Sequence, residues 1–140
     1  MAVVVVDTNV FVSALRSADG ASREVLRRCL NRRHVPCMSA ALFAEYRDLL
    51  ARPALFRKSP LGASERRDLF NALMSVSRYT EIYYLWRPNL RDEADNHLVE
   101  LAIAASAESL ITHNLADFAD CELRFPHLRV CSPAEFLKEN

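Results

Sequence analysis

Four valines in a row, Val3 to Val6, stop abruptly at Asp7-Thr8-Asn9. β-Branched side chains favour extended backbone. An unbroken apolar run, rather than an alternating one, suits a strand covered on both faces, as at the centre of a parallel sheet. The polar triplet then lies at the carboxyl end of that strand, which is where open parallel sheets bind their ligands. The chain has 140 residues, 51% of them apolar, with only 2 glycines and 6 prolines, so it can bury one core of its own.

Helical and extended patterns alternate through the remainder. Residues 22–33 read as a helix with Ser22 at its N-cap and Val25, Leu26, Cys29 and Leu30 along one stripe. Val35 to Met38 reads as a strand. Ser39 caps a second helix that carries Leu42, Phe43, Tyr46, Leu49 and Leu50 and is limited by Pro53. Residues 52–63 read as a loop, and Ser64 starts a helix through Leu69, Phe70, Leu73 and Met74. Ile82 to Trp86 reads as a strand, Asp92 to Ala107 as a helix, Leu110 to Thr112 as a strand, and His113 to Phe118 as a turn. Leu128 to Cys131 is the last strand, and Ser132-Pro133-Ala134-Glu135 is a capping box that opens a closing helix. Such alternation specifies a single α/β domain, a Rossmann-like parallel sheet flanked by helices.

Net charge is zero, which excludes a protein that coats nucleic acid by bulk electrostatics. The charge is unevenly spread. Residues 1–91 carry 15 Lys/Arg against 8 Asp/Glu, and residues 92–140 carry 3 against 10. Sixteen of the 18 basic residues are arginine, the side chain suited to bidentate phosphate contacts. Arg16, Arg23 and Arg27 are candidate phosphate contacts, with a solvated helix face as the alternative. The cysteines, Cys29, Cys37, Cys121 and Cys131, include no C-x-x-C pair and stand at no zinc-finger spacing to a histidine, so buried reduced thiols are expected. No apolar run approaches the roughly 20 residues needed to span a bilayer, and the start has no basic leader, so a cytoplasmic location is expected.

Asp7 and the turn bearing Asn114 and Asp117 both follow strands, so topology puts them on one rim. The helix from Asp92 feeds the second of those strands and brings its amino end to the same rim. Counting back from Ala102, Val99, Leu98 and Asp95 share a helical face, so Asp95 continues the inward stripe while Asp92 reads as an N-cap. Glu45 lies one turn before Leu49 at the edge of its own stripe. Carboxylates gathered on one rim repel unless protonated or bridged by a cation, and hard oxygen ligands select Mg²⁺ or Mn²⁺. Two such ions roughly 3.5–4 Å apart can stabilise the attacking and leaving oxygens of phosphodiester cleavage.

Four segments, taken in order, resemble the motifs of PIN-domain nucleases: Val3 to Leu15, Ser39 to Tyr46, Arg91 to Ala102, and Thr112 to Phe118. The likeness is greatest to the branch that holds toxin components of toxin–antitoxin systems. It implies a PIN-like fold and an Mg²⁺- or Mn²⁺-dependent endoribonuclease whose metal-site acids are Asp7, Glu45, Asp95 and Asp117. Thr112 and Asn114 would orient Asp117 or a water, with Asn9 and Asp92 in support. It further implies RNA as substrate, a small antitoxin protein as partner and a homodimer. This branch often has aspartate where Asn114 stands, so the alternative is a catalytically weak PIN-fold module that binds RNA or protein. A phosphatase with an aspartyl nucleophile wants Asp-x-Asp after the first strand, and position 9 is asparagine.

Helix register separates Asp95 from Asp92 by experiment. Asp95→Asn is expected to abolish metal-dependent cleavage while leaving the metal-free protein at least as stable. Asp92→Ala is expected to keep much of the activity but cost on the order of 1 kcal/mol of stability through the lost cap. Melting in EDTA and cleavage with Mn²⁺ on both variants check this; an inactive Asp92→Ala beside an active Asp95→Asn would mean the register is wrong.

Overall fold

The computed structural model of the chain describes residues 1–82, 96–119 and 121–140. Strand β1 is Val3–Val6, followed by helices α1 (Thr8–Arg16) and α2 (Ala21–Leu30), strand β2 (Val35–Met38) and helix α3 (Ala40–Leu50). A 3-10 turn at Pro53–Phe56 leads to α4 (Ala63–Val76) and β3 (Arg78–Tyr79). Then come α5 (Asn96–Ala104), β4 (Ser109–Ile111), a 3-10 turn at Leu115–Phe118, α6 (Cys121–Arg124), β5 (Arg129–Cys131) and α7 (Pro133–Glu139).

The strands form one sheet in the order β3-β2-β1-β4-β5, every pair parallel. The expected α/β sheet flanked by helices is therefore present. Val4, Val5 and Val6 are all buried. Because successive strand residues point to opposite faces, both faces of β1 are covered. Helix α5 packs on β1, β2 and β4, while α2 packs against α1, α4 and α7. Successive strands are added on one side of β1 as far as β3 and then on its other side from β4, so the carboxyl ends of β1 and β4 form the switch-point crevice.

β2 sits inside the sheet and yet contains Pro36, a residue normally kept to edges. The Val35 N–H donates to the Ala2 carbonyl at 2.8 Å, facing β1. Pro36 nitrogen therefore faces the other side, where pairing with β3 begins only at Cys37 opposite Arg78. No ladder bond is lost.

Several local expectations change. Nothing in the sequence reading occupied the stretch after Asn9, where α1 begins directly behind β1; its Val10 and Val12 are β-branched and weaken the helical signal. Gly20, rather than Ser22, caps α2; Ser22 is inside that helix and buried. Gly62, rather than Ser64, caps α4, and the Glu65 carboxylate accepts from the Gly62 N–H at 3.0 Å. The strand beside β2 is Arg78–Tyr79, and residues 83–86 of the expected strand at Ile82 to Trp86 lie outside the described residues. Residues 92–95 of the expected helix also lie outside them. Ser39 does cap α3, accepting from Leu42 N–H at 3.2 Å, and Ser132 with Glu135 does form the capping box of α7. All four cysteines are buried and free. Burial pushes the Cys29 thiol up to about 12, so it stays protonated and inert.

Tyr46 ties α3 to the mouth of β1. Its buried hydroxyl donates to the Val6 carbonyl, and its ring meets Phe11 of α1 edge-on at 4.9 Å between centroids. Tyr46→Phe keeps the ring contacts and removes only the hydroxyl. It is expected to lower stability by about 1–2 kcal/mol, measurable as a shift in urea midpoint at unchanged m. An unchanged midpoint would mean that the hydroxyl holds nothing.

Candidate active site

Asp7 ends β1 and stands at the N-cap position of α1, but its carboxylate does not cap that helix. It turns instead toward β4. Oδ2 accepts from the Thr112 hydroxyl at 2.8 Å, Oδ1 lies 3.3 Å from Thr8 Oγ1, and the residue is only 5% exposed. The Asp7 N–H donates to the Ile111 carbonyl at 2.9 Å, so sheet pairing sets the height of both residues. Thr112 is fully buried, and its oxygen also accepts from Asn114 N–H at 3.0 Å and from Asn9 Nδ2 at 3.4 Å. Asn9 Oδ1 in turn accepts from the His113 N–H at 3.3 Å. Thr112 thus donates its hydroxyl proton to Asp7, where the expectation had it orienting Asp117 or a water.

Glu45 reaches the same place from α3. Its Oε1 accepts from Thr8 Oγ1 at 2.8 Å, and its Oε2 lies 2.8 Å from Nε2 of His97 on α5. Thr8 has one hydroxyl proton for two carboxylates, and the shorter distance assigns it to Glu45. Helix register and the Tyr46 anchor explain the placement: the residue before the buried tyrosine is swung to the rim beside Asp7. Thr8 and His97 are site residues that sequence reading left unassigned. Both sit inside the motif segments that carry the acids, Thr8 directly after Asp7 and His97 two residues after Asp95.

Asp117 is half-buried on the turn Leu115–Phe118, which follows β4 at this edge, its N–H bonded to the Asn114 carbonyl. Asp92 and Asp95 lie outside the described residues. Among the described residues no three His, Cys, Asp or Glu side chains converge as a metal-holding group. The acids brought together there are the pair Asp7 and Glu45.

The environments of the two acids differ. Burial pushes the Asp7 carboxyl above the ordinary aspartate range; the Thr112 hydrogen bond opposes this and the Glu45 charge adds to it. The His97 hydrogen bond holds the Glu45 carboxyl below its ordinary range, against a smaller effect of burial. A buried carboxylate beside an ionised one needs either a proton or a cation. An all-oxygen acid pair suits a hard divalent ion such as Mg²⁺ or Mn²⁺, so the residues present fit that kind of group.

Beside the pair opens a cleft of about 530 Å³ lined by Thr8, Asn9, Val12, Arg16, Leu55 and His113, among others. Arg16 donates from Nε to the Leu55 carbonyl at 2.7 Å. Arg23 is half-buried and donates to the Ala14 carbonyl at 2.7 Å, and Arg27 is ion-paired with Glu24. Of the three candidate phosphate contacts, Arg16 is the one in the cleft wall. A second cleft of about 390 Å³, lined by residues of α3 and α4 such as Phe43, Arg47 and Phe70, includes none of the candidate acids.

The family described as PIN domain has a model that matches residues 3–116. No curated protein sequence matches the chain. One solved structure with a similar fold is that of VapBC2 from Rickettsia felis bound to a DNA fragment from their promoter. It aligns with a TM-score of 0.58 at 17% identity, over 93% of this chain and 98% of the other. No helix among the described residues is long and apolar enough to cross a membrane.

The opposed shifts of the two acids give opposite pH effects on the metal-free protein. Asp7 has a raised folded pKa, so its stabilising contribution is complete in acid and is lost as pH rises through that value. Asp7→Asn removes this loss. In EDTA its Tm is expected to exceed wild type near neutral pH and to converge with it as pH falls below the aspartate range. Glu45, with a depressed pKa, stabilises above the glutamate range and loses that contribution on acidification. Melting curves from about pH 3 to 8 check both signs. An Asp7→Asn variant less stable than wild type at pH 7 in EDTA would mean that burial does not dominate at this carboxylate.

Proposed function

Because the chain belongs to the PIN domain family, we propose that it is a metal-dependent endoribonuclease, the toxin of a toxin–antitoxin pair. Asp7, Glu45, Asp95 and Asp117 are its metal-site acids. The observation that carries this reading is the acid pair itself: Asp7 buried, Glu45 linked to it through one threonine hydroxyl, both at the switch point of a parallel sheet. Such a pair is unfavourable in a protein without a ligand, which supports a binding or catalytic role rather than a structural one.

Bound between these acids, Mg²⁺ or Mn²⁺ would stabilise the charge that develops on phosphodiester oxygens during cleavage. The chain's own residues do the positioning. Thr112 fixes the Asp7 carboxylate, Thr8 fixes that of Glu45, and Asn9 and Asn114 fix Thr112. Arg16, in the wall of the adjoining cleft, is suited to hold an RNA phosphate. Asp92 is assigned a supporting place beside these acids. An antitoxin protein as partner rests on the resemblance to the toxin branch and on the fold shared with a VapBC2 structure. A homodimer and a cytoplasmic location are proposed on the same ground. Asn114, where the branch often has aspartate, favours a second reading: a PIN-fold module that binds RNA and cuts it slowly.

Purified protein is expected to cleave single RNAs with Mg²⁺ or Mn²⁺ and to stop in EDTA. Asp7→Asn and Glu45→Gln should each reduce the rate roughly 100-fold or more, the scale of removing one preorganised electrostatic group. Undiminished cleavage in chelator would remove the metal mechanism, and tight RNA binding without cleavage in either metal would favour the binding module. Arg16→Ala should lower the slope of log affinity against log salt by up to about one unit. Arg23→Ala and Arg27→Ala should lower it less, since neither side chain lines the cleft beside the acid pair.

A further inference from the structure

His97 stands outside the acid set, yet it makes the contact that completes the Glu45 carboxylate. Among the described residues each oxygen of Glu45 meets one partner: Thr8 Oγ1 on Oε1 and His97 Nε2 on Oε2, both at 2.8 Å. A free glutamate side chain loses rotamer entropy when held in one conformation. Two hydrogen bonds from opposite sides offset that cost and choose the conformation. Their donors come from different elements, Thr8 from α1 and His97 from α5. α5 is anchored by the buried Leu98, Val99, Leu101 and Ala102, so the imidazole is presented from a rigid support.

We propose that His97 is a positioning residue for Glu45: its Nε2–H holds the carboxylate turned toward Asp7, so that divalent-cation affinity depends on a histidine that is not itself a ligand. The proposal rests on the reading of Glu45 as a metal-site acid. The tautomer follows from the surroundings. Among the described residues the buried Nδ1 has no partner, which an unprotonated nitrogen tolerates better than an N–H. Nε2 therefore carries the proton, and a protonated nitrogen cannot coordinate a metal. The same hydrogen bond is the largest reason why the Glu45 carboxyl stays ionised more readily than an ordinary glutamate. Outer partners that orient a ligand in this way typically change metal affinity 10–100-fold when removed.

The test is Mn²⁺ binding, by calorimetry and by the electron-spin signal of free Mn²⁺, on wild type, His97→Ala and His97→Gln, with melting in EDTA alongside. The amide N–H of glutamine can donate to Oε2 in place of Nε2–H, and its nitrogen, unlike an imidazole nitrogen, does not coordinate a metal. His97→Ala is expected to weaken Mn²⁺ binding at least about 10-fold, while His97→Gln restores most of it. Wild-type affinity in His97→Ala would overturn the proposal. So would a glutamine variant as weak as the alanine one, which would make the imidazole a ligand. If His97→Ala fails to fold, the folded glutamine variant decides: near wild-type Mn²⁺ affinity supports positioning, and a loss like that of Glu45→Gln overturns it. A wild type that binds Mn²⁺ in this His97-dependent way but cuts no RNA would defeat the nuclease reading and leave the positioning role standing. A wild type that binds no Mn²⁺ overturns both.

Discussion

A carboxylate taken out of water without compensation costs several kcal/mol in practice, and Asp7 is nearly out of water at the mouth of the central strand. Everything around it can be understood as compensation. Thr112 meets it from the end of the neighbouring strand, the Thr8 backbone N–H from the first residue of α1, and Asn9 and Asn114 hold Thr112 in turn. None of these contacts is made by a positive charge. The network orients Asp7 and leaves its charge unneutralised, and the Glu45 charge adds to the difficulty. Folding alone would have chosen asparagine at such a position.

The polar path from His97 through Glu45 and Thr8 to Asp7 and Thr112 joins α5, α3 and α1 to the ends of β1 and β4, and its two acids have different proton affinities. The Glu45 carboxyl ionises more readily than an ordinary glutamate, and the Asp7 carboxyl less readily than an ordinary aspartate. The site lies beside the sheet rather than within it: the rim supplies threonine hydroxyls and backbone N–H groups as donors, while β1 and β4 supply rigidity.

Sharing a fold with the Rickettsia felis structure at 17% identity says that very different sequences satisfy the same layer constraints. A fold hosts many chemistries, so that likeness carries no assignment of substrate by itself. The family match spans residues 3–116, from the first valine of β1 to the turn before Asp117. Within that span the described acids, threonines and asparagines form one connected network, and it is the network, more than the sheet, that argues for metal chemistry.

The sequence alone determined what depends on near neighbours. Four valines specified a strand buried on both faces, serines 39 and 132 specified helix starts, and isolated cysteines specified inert thiols. Motif order marked Asp7 and Glu45 before any geometry was known. Longer-range facts were illegible because periodicity carries no information about partners. Ser22 reads as a cap on local grounds, and only packing turns its hydroxyl to His113, 91 residues away. Thr112 reads as a neighbour of Asp117 but bonds to Asp7 across 105 residues, because parallel pairing of β1 with β4 aligns the ends of both strands. His97 reads as one more polar residue at the start of a helix. Its contact with Glu45 across 52 residues exists only because α5 and α3 pack together, which places two helix faces against each other that no local pattern connects.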